Sequence, residues 1–315
     1  DKIVHAGIIP GDIMLQLLKN WMLPVAMLTG ALFHTYIGVL GFLTPTLIFC
    51  MLFLTFCKIS PRHMKFSRLH IWLLLIQLCG SLLVYVVIVP FNAELAQGIL
   101  ICVLAPTATA AAVITGMLGG NIAFLASFVF LSNVLVAVAA PVIFSFLGTN
   151  SDLPFWESFG YICRQVVPLL ILPLLGAWLV QWLLPRVHQW LLSVQILSFY
   201  MWSLALTIVT GRTVTFLLEQ PDPHYENEVM LAVLSLGICV MQFYAGRRLG
   251  SRYDNTVAGG QGLGQKNTIL AIWMAQIYLC PTAAVGPAAY VLWQNIINSW
   301  QLWKKRKVKQ NTESE

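Results

Sequence analysis

Charge is what this sequence has least of. Only 10% of its 315 residues are Asp, Glu, Lys or Arg, against about 25% in a soluble globular domain. There are 12 acids, and each falls in a loop, at the end of an apolar run or in a tail. The six histidines, at 5, 34, 63, 70, 188 and 224, avoid the middles of those runs too. The seven cysteines lie in or beside apolar runs without metal-ligand spacing, which reads as buried free thiols. These shortages exclude several functions. Intramembrane catalysis needs an acid–base group beside its nucleophile, and no central His, Asp or Glu is there to assist Ser, Thr or Cys. A metalloenzyme would lack its His/carboxylate cluster. A channel would lack a ring of like charges or a repeated filter sequence. No secretory signal peptide is expected, because acids and a Gly-Ile-Ile-Pro-Gly turn precede a full-length span.

What is present is apolar: 58% of the residues are hydrophobic. The chain reads as an all-α polytopic membrane protein and a single transport unit. About twenty apolar residues cross a bilayer, and ten stretches qualify: 13–34, 38–57, 69–90, 95–118, 121–147, 158–184, 188–212, 229–249, 254–279 and 282–303. A basic, then polar, tail covers 304–315. The net charge of +6 does not point to nucleic acid, because the basic residues sit in short loops and at the C-terminus. Lys58, Arg62, Lys65 and Arg68 lie between spans two and three, Arg186 between six and seven, and Arg247, Arg248 and Arg252 between eight and nine. Lys304-Lys305-Arg306-Lys307 follows span ten. The alternate loops carry Glu94, Asp152, Glu157, Glu219, Asp222, Glu226 and Glu228. The positive-inside rule then puts both termini in the cytoplasm of a plasma or inner membrane. Arg164 and Arg212 fall near the outer surface, where snorkelling to headgroups is favoured over a substrate role.

Two spans are interrupted. The fourth carries Ala105-Pro106-Thr107-Ala108-Thr109-Ala110. Proline lacks an N–H and clashes with the preceding turn, so it breaks the helix. The freed carbonyls near Leu104 and Ala105 are expected to face Thr107 and Thr109. The ninth carries Gly259-Gly260-Gln261-Gly262-Leu263-Gly264-Gln265-Lys266-Asn267-Thr268, with the break expected near Gly262 to Gly264. Lys266 is the only ionisable group expected near the bilayer centre. A charge there is costly and usually functional. It is expected to be neutral, or paired with backbone carbonyls or an anionic substrate. One interruption in each five-span half is the pattern of inverted repeats with a site between them.

Three of these motifs resemble those of the bile acid:sodium symporter family. Ala105 to Ala110, with Val113, Thr115 and Gly120, resembles its Pro-Gly-Gly-Thr-Ala-Ser-Asn motif. Gly264-Gln265-Lys266-Asn267-Thr268-Ile269-Leu270-Ala271 resembles its Gly-x-Gln-Asn-Ser-Gly-Leu-Ala motif. Val291-Leu292-Trp293-Gln294-Asn295-Ile296 resembles its Trp-His-Asn-Ile stretch. The resemblance implies two inverted five-helix repeats with helices four and nine crossing at the midplane. It also implies a panel domain (approximately 13–57 and 158–212) and a core domain (approximately 69–147 and 229–303). Its members move bile acids and other organic anions, commonly with sodium.

The departures fall on the cation ligands. The family's Ser-Asn pair aligns with Ala111 and Ala112, its ninth-helix glutamate with Gly262 and its glutamine with Lys266. Fifth-helix hydroxyl positions fall near Leu125 and Val129, with Ser127, Ser132 and Asn133 close by. Oxygen ligands for a hard cation are mostly gone, and an ammonium stands among them. The expectation is a secondary transporter of an organic anion, with no bound cofactor, sodium coupling left open and Lys266 replacing the cation, assisted by Gln265. Uniport, exchange and proton symport all fit. Thr107, Thr109, Asn267, Thr268, Gln294 and Asn295 are the candidate substrate-binding residues, and Pro106, Gly262 and Gly264 the helix breakers. The alternative is a non-transporting anion sensor on a transporter scaffold. The partners implied are a small organic anion and the lipid bilayer; the sequence sets no oligomeric state.

Overall fold

The computed structural model describes residues 22, 24–59, 64, 66–108, 110–147, 154–219 and 225–313, with side chains for all of these except 216, 217, 306 and 308–313. Thr109 and residues 13–21 and 23 of the first expected span lie outside the described residues. Among the described residues the chain is helical, with a single isolated β-bridge and no strand. Residues 24–32 are helical. A short turn of helix, His34–Ile37, and a 3-10 stretch, Gly38–Leu43, lead into α1 (Thr44–Phe56). Then come α2 (Arg68–Ile88), α3 (Ala93–Leu104), α4 (Ala110–Met117), α5 (Ile122–Leu147) and α6 (Phe155–Leu183). After these are α7 (Pro185–Ser193), α8 (Ile196–Leu218), α9 (Tyr225–Gly250), α10 (Thr256–Gly264), α11 (Thr268–Tyr278) and α12 (Val285–Glu313).

Among the described residues, five helical stretches are long and apolar enough to cross a bilayer, and the α7–α8 pair, bent by 60°, makes a sixth. Much of their apolar surface faces outward, as on Leu83 and Val86 of α2 or Val233 and Val240 of α9, where lipid is its natural solvent. The protein is an integral membrane protein. The bend alters the expected seventh span: α7 holds Arg186, His188 and Gln189 and buries only Leu191. The run of apolar residues therefore starts at Ile196 and reaches Leu218 rather than ending at 212. α12 is long, but Gln294, Asn298 and Gln301 are buried along it, so its composition is more polar than that of the five. It does not stop at Trp303 either; the basic run continues the helix to Glu313.

Local signals start several helices. Ser67 caps α2 through a capping box whose reciprocal acceptor is His70 Nδ1, 3.0 Å from Ser67 N. The other ring nitrogen, Nε2, then donates to Phe124 O at 3.0 Å, tying the start of α2 to α5. Asn92 Oδ1 caps α3 by accepting from Glu94 N and Leu95 N, satisfying two of that helix's orphan donors. The backbones of α9 and α10 approach through glycine: a Cβ on Gly246 or Gly259 would collide with the other residue's carbonyl oxygen. That close packing holds the first half of the interrupted ninth span against α9.

Candidate functional site

Both interruptions are present and they meet. α3 ends at Leu104 and α4 begins at Ala110; α10 ends at Gly264 and α11 begins at Thr268. Between them Thr107 and Lys266 form an antiparallel bridge. Ala108 N donates to Gln265 O at 2.9 Å, and Asn267 N donates to Pro106 O at 2.8 Å. Two unwound segments thus supply each other's backbone partners, which lets irregular backbone persist inside a membrane protein.

Each half-helix that stops here leaves its last carbonyls unpaired, and most of them find partners in the crossing. At the end of α3, Ile101 O accepts from Ala105 N at 3.0 Å. Cys102 O accepts from Gln242 Nε2 at 3.3 Å and Val103 O from Lys266 Nζ at 2.8 Å. Leu104 O and Ala105 O accept from Gln77 Nε2, at 2.8 and 3.0 Å. This corrects the expectation that the Leu104 and Ala105 carbonyls face Thr107; Thr109 lies outside the described residues. Gln77, from the middle of α2, is the donor, because it reaches both carbonyls with one amide. At the end of α10, Gly262 O accepts from Thr107 Oγ1 at 2.7 Å and Gly264 O from Tyr290 OH at 2.8 Å. Ser132 completes the set: its Oγ accepts from Thr107 N at 3.0 Å and donates to Gln77 Oε1 at 2.9 Å.

Lys266 sits within this framework and is 1% exposed. Its amide donates to Gln294 Oε1 at 2.9 Å. Its ammonium lies at the C-terminal end of α3, where the helix dipole presents partial negative charge. The N-terminal ends of the other two half-helices are arranged differently. Ala108 and Ala110 before and in α4, and Asn267 and Thr268 at the head of α11, line a cavity of about 520 Å³. Asn267 Oδ1 caps α11 by accepting from Leu270 N at 3.3 Å. Cation and carbonyl ends are sorted to the interior of the crossing, and amide ends to the cavity.

The expected site residues divide accordingly. Gln265, Lys266, Asn267, Thr268, Gln294 and Asn295 line the cavity. Thr107 is fully buried behind it, and Pro106 is buried and does not line it. Asn295 is half-buried, and its amide donates to Val291 O one turn back. Gly262 and Gly264 remain helical within α10, so the break lies at Gln265–Asn267, past the position expected. Their role is space: a Cβ on Gly262 would meet the Phe128 ring, and one on Gly264 the Phe243 ring. The opposite wall of the cavity comes from α1 and α8, including Ile48, Leu52, Phe199 and Trp202. Arg164 is exposed, as a snorkelling residue would be. Arg212 is half-buried against Gly38 and Gly41, beside a separate hollow that includes Gln165 and Trp273.

Sequence reasoning missed Gln77, Tyr290 and Gln242. A lone amide in an otherwise apolar span is a visible signal, since polar residues in membrane helices bond across to neighbours.

Three of the positions that the resemblance aligns with the family's sodium ligands, Ala111, Ala112 and Gly262, lack a side-chain oxygen. Val103 O and the carbonyls of Leu104 and Ala105 already accept hydrogen bonds.

A family profile described as the sodium bile acid symporter family matches residues 45–220. A search of curated proteins finds no match.

Proposed function

The chain belongs to the sodium bile acid symporter family, and from that membership we propose that it is a secondary transporter of an organic anion in which the Lys266 ammonium replaces the coupling cation. The carrying observation is the bond from Lys266 Nζ to Val103 O at the C-terminal end of α3. In transporters with broken helices, half-helix C-termini and unwound carbonyls hold the cation, while half-helix N-termini point at the anion. Here the first role is filled covalently by a side chain, and the second is left open toward the cavity. The anion binds among Asn267, Thr268, Gln294 and Asn295, with Thr107 and Gln265 holding the crossing. These groups belong to a core of approximately 69–147 and 229–303, which moves against a panel of approximately 13–57 and 158–212. Ten spans in two inverted repeats supply that geometry, with both termini in the cytoplasm.

A fixed internal cation changes the energetics. It contributes its charge in every state of the cycle and is never released, so it cannot drive accumulation as a sodium gradient does. Uniport or exchange follows. The test is counterflow of labelled cholate and of smaller carboxylates in proteoliposomes, with and without sodium. Sodium-free counterflow that Lys266→Gln abolishes is the expected result. A strict sodium requirement with Lys266→Gln fully active would sink the proposal. Saturable binding without counterflow would favour the sensor reading instead.

A further inference from the structure

Among the described residues that line the main cavity only Lys58 and Lys266 carry charge, and no Asp or Glu is among them. The two lysines are placed differently. Lys266 is 1% exposed with its ammonium committed to Val103 O, so it serves the crossing rather than the cavity. Lys58 is exposed, in the turn that follows α1. Its ammonium makes no hydrogen bond or ion pair among the described residues. A lysine in a short loop is ordinarily a solvated group with nothing built around it, but this turn is held from both sides. Lys58 N donates to Thr55 O at 3.0 Å. Gln195 Nε2 donates to Leu54 O at 2.8 Å, His188 Nε2 to Cys57 O at 2.8 Å and Trp178 Nε1 to Ile59 O at 3.1 Å. Donors from α6, from α7 and from the bend before α8 therefore fix the carbonyls on either side of the residue. The bonds set where the side chain starts, at the edge of a wall that is otherwise apolar.

We propose that Lys58 is the residue that reads the substrate's negative charge, pairing with its anionic head while the apolar body lies along Ile48, Leu52, Phe199 and Trp202. This rests on the transport reading given above and adds the group that sets its charge selectivity. The polar residues of the crossing are neutral and bond equally well to uncharged oxygen groups, so they do not distinguish an acid from its ester. An ammonium with no acid beside it does. Lys266, at 1% exposure and with one N–H on Val103 O, presents almost none of its ammonium to the cavity.

The test uses the full chain in lipid nanodiscs, with cholate and its uncharged methyl ester as probes of matched shape. The unsubstituted protein should prefer cholate by about two- to five-fold, the range of a solvated ion pair. Lys58→Gln should bring cholate down to the ester's affinity and leave the ester unchanged, which also shows that the variant is folded. Lys58→Arg should restore the preference. Three outcomes overturn the inference while leaving the transport reading standing. They are equal binding of acid and ester by the unsubstituted protein, a preference that survives Lys58→Gln, and loss of both probes in Lys58→Gln, which marks a structural role. Failure of the unsubstituted protein to bind either probe also overturns the inference, and counterflow of the smaller carboxylates then decides the transport reading by itself.

Discussion

At the end of α3 the chain meets a proline; at the end of α10 it meets nothing that forbids a helix. Ala105 is extended, with φ −46° and ψ 139°, as a residue before proline should be. Gln265 is also extended, with φ −99° and ψ 100°, yet Gln265, Lys266 and Asn267 are all residues that helices accept. Their glycine neighbours are helical and serve packing. What opens the second break is the set of partners waiting for it: Pro106 O for Asn267 N, Ala108 N for Gln265 O, Gln294 Oε1 for Lys266 N and Val103 O for the ammonium. One interruption is written locally and then reinforced. The other exists because the first has left polar groups that need it.

The crossing therefore depends most on the donors that quench orphan carbonyls. Gln77→Leu should be the most damaging change. It strips the donor from Leu104 O and Ala105 O and the acceptor from Ser132 Oγ, all in a buried region. A loss of about 3 kcal/mol is expected, since each unsatisfied buried group costs about 1–3 kcal/mol and the defects share one site. Thermal unfolding of the purified protein in nanodiscs would measure it, and an unchanged midpoint would mean that other groups quench those carbonyls.

Gln294→Leu attacks the second break alone. It leaves Lys266 N–H buried without its acceptor, and about 2 kcal/mol should be lost. Sodium-free counterflow should fall with it. Wild-type stability together with wild-type counterflow would show that the extended conformation at Gln265–Asn267 does not need this bond.

Tyr290→Phe removes the hydroxyl that donates to Gly264 O and accepts from Gln242 Nε2. About 1 kcal/mol should be lost, visible as a small fall in unfolding temperature. A larger fall would assign Tyr290 a further role in positioning Lys266.

Pro106→Ala should be the mildest. Gln77, Ser132 and the bridge to Lys266 already hold the backbone on both sides of this residue. The change then acts mainly through the unfolded chain's greater freedom, by roughly 0.4–1 kcal/mol. Counterflow should persist. Loss of counterflow in Pro106→Ala would show that the proline makes the first break even with those bonds in place, and would sharpen the contrast further.

How much of this was legible depends on how far apart the partners are. Pro106 and Lys266 announce themselves, one by what its ring forbids and the other by the cost of an ammonium among apolar neighbours. Gln77 bonds to residues 27 and 28 positions away, and Tyr290 OH to Gly264 O, 26 away. Nothing in the local pattern says which carbonyl either one seeks. The glycines were misread for a related reason. A glycine reads the same whether it weakens a helix or admits a neighbouring ring, and only Phe128 and Phe243, arriving from α5 and α9, decide between the two. Lys58 was counted as one of four basic residues orienting a loop; its place in the cavity wall depends on α6, α7 and α8 folding against α1.

The sequence by itself determined the solvent, the helical class and the presence of two polar interruptions. Apolar run length, a proline's missing N–H and the cost of burying a charge are properties of short stretches of chain. Tertiary structure alone decided where each freed group finds its partner, which half-helix ends meet and which lysine is left facing the cavity. A continuous helix satisfies its own backbone. Once it is broken, its carbonyls and amides must be satisfied from elsewhere, and that elsewhere is set by how distant helices pack.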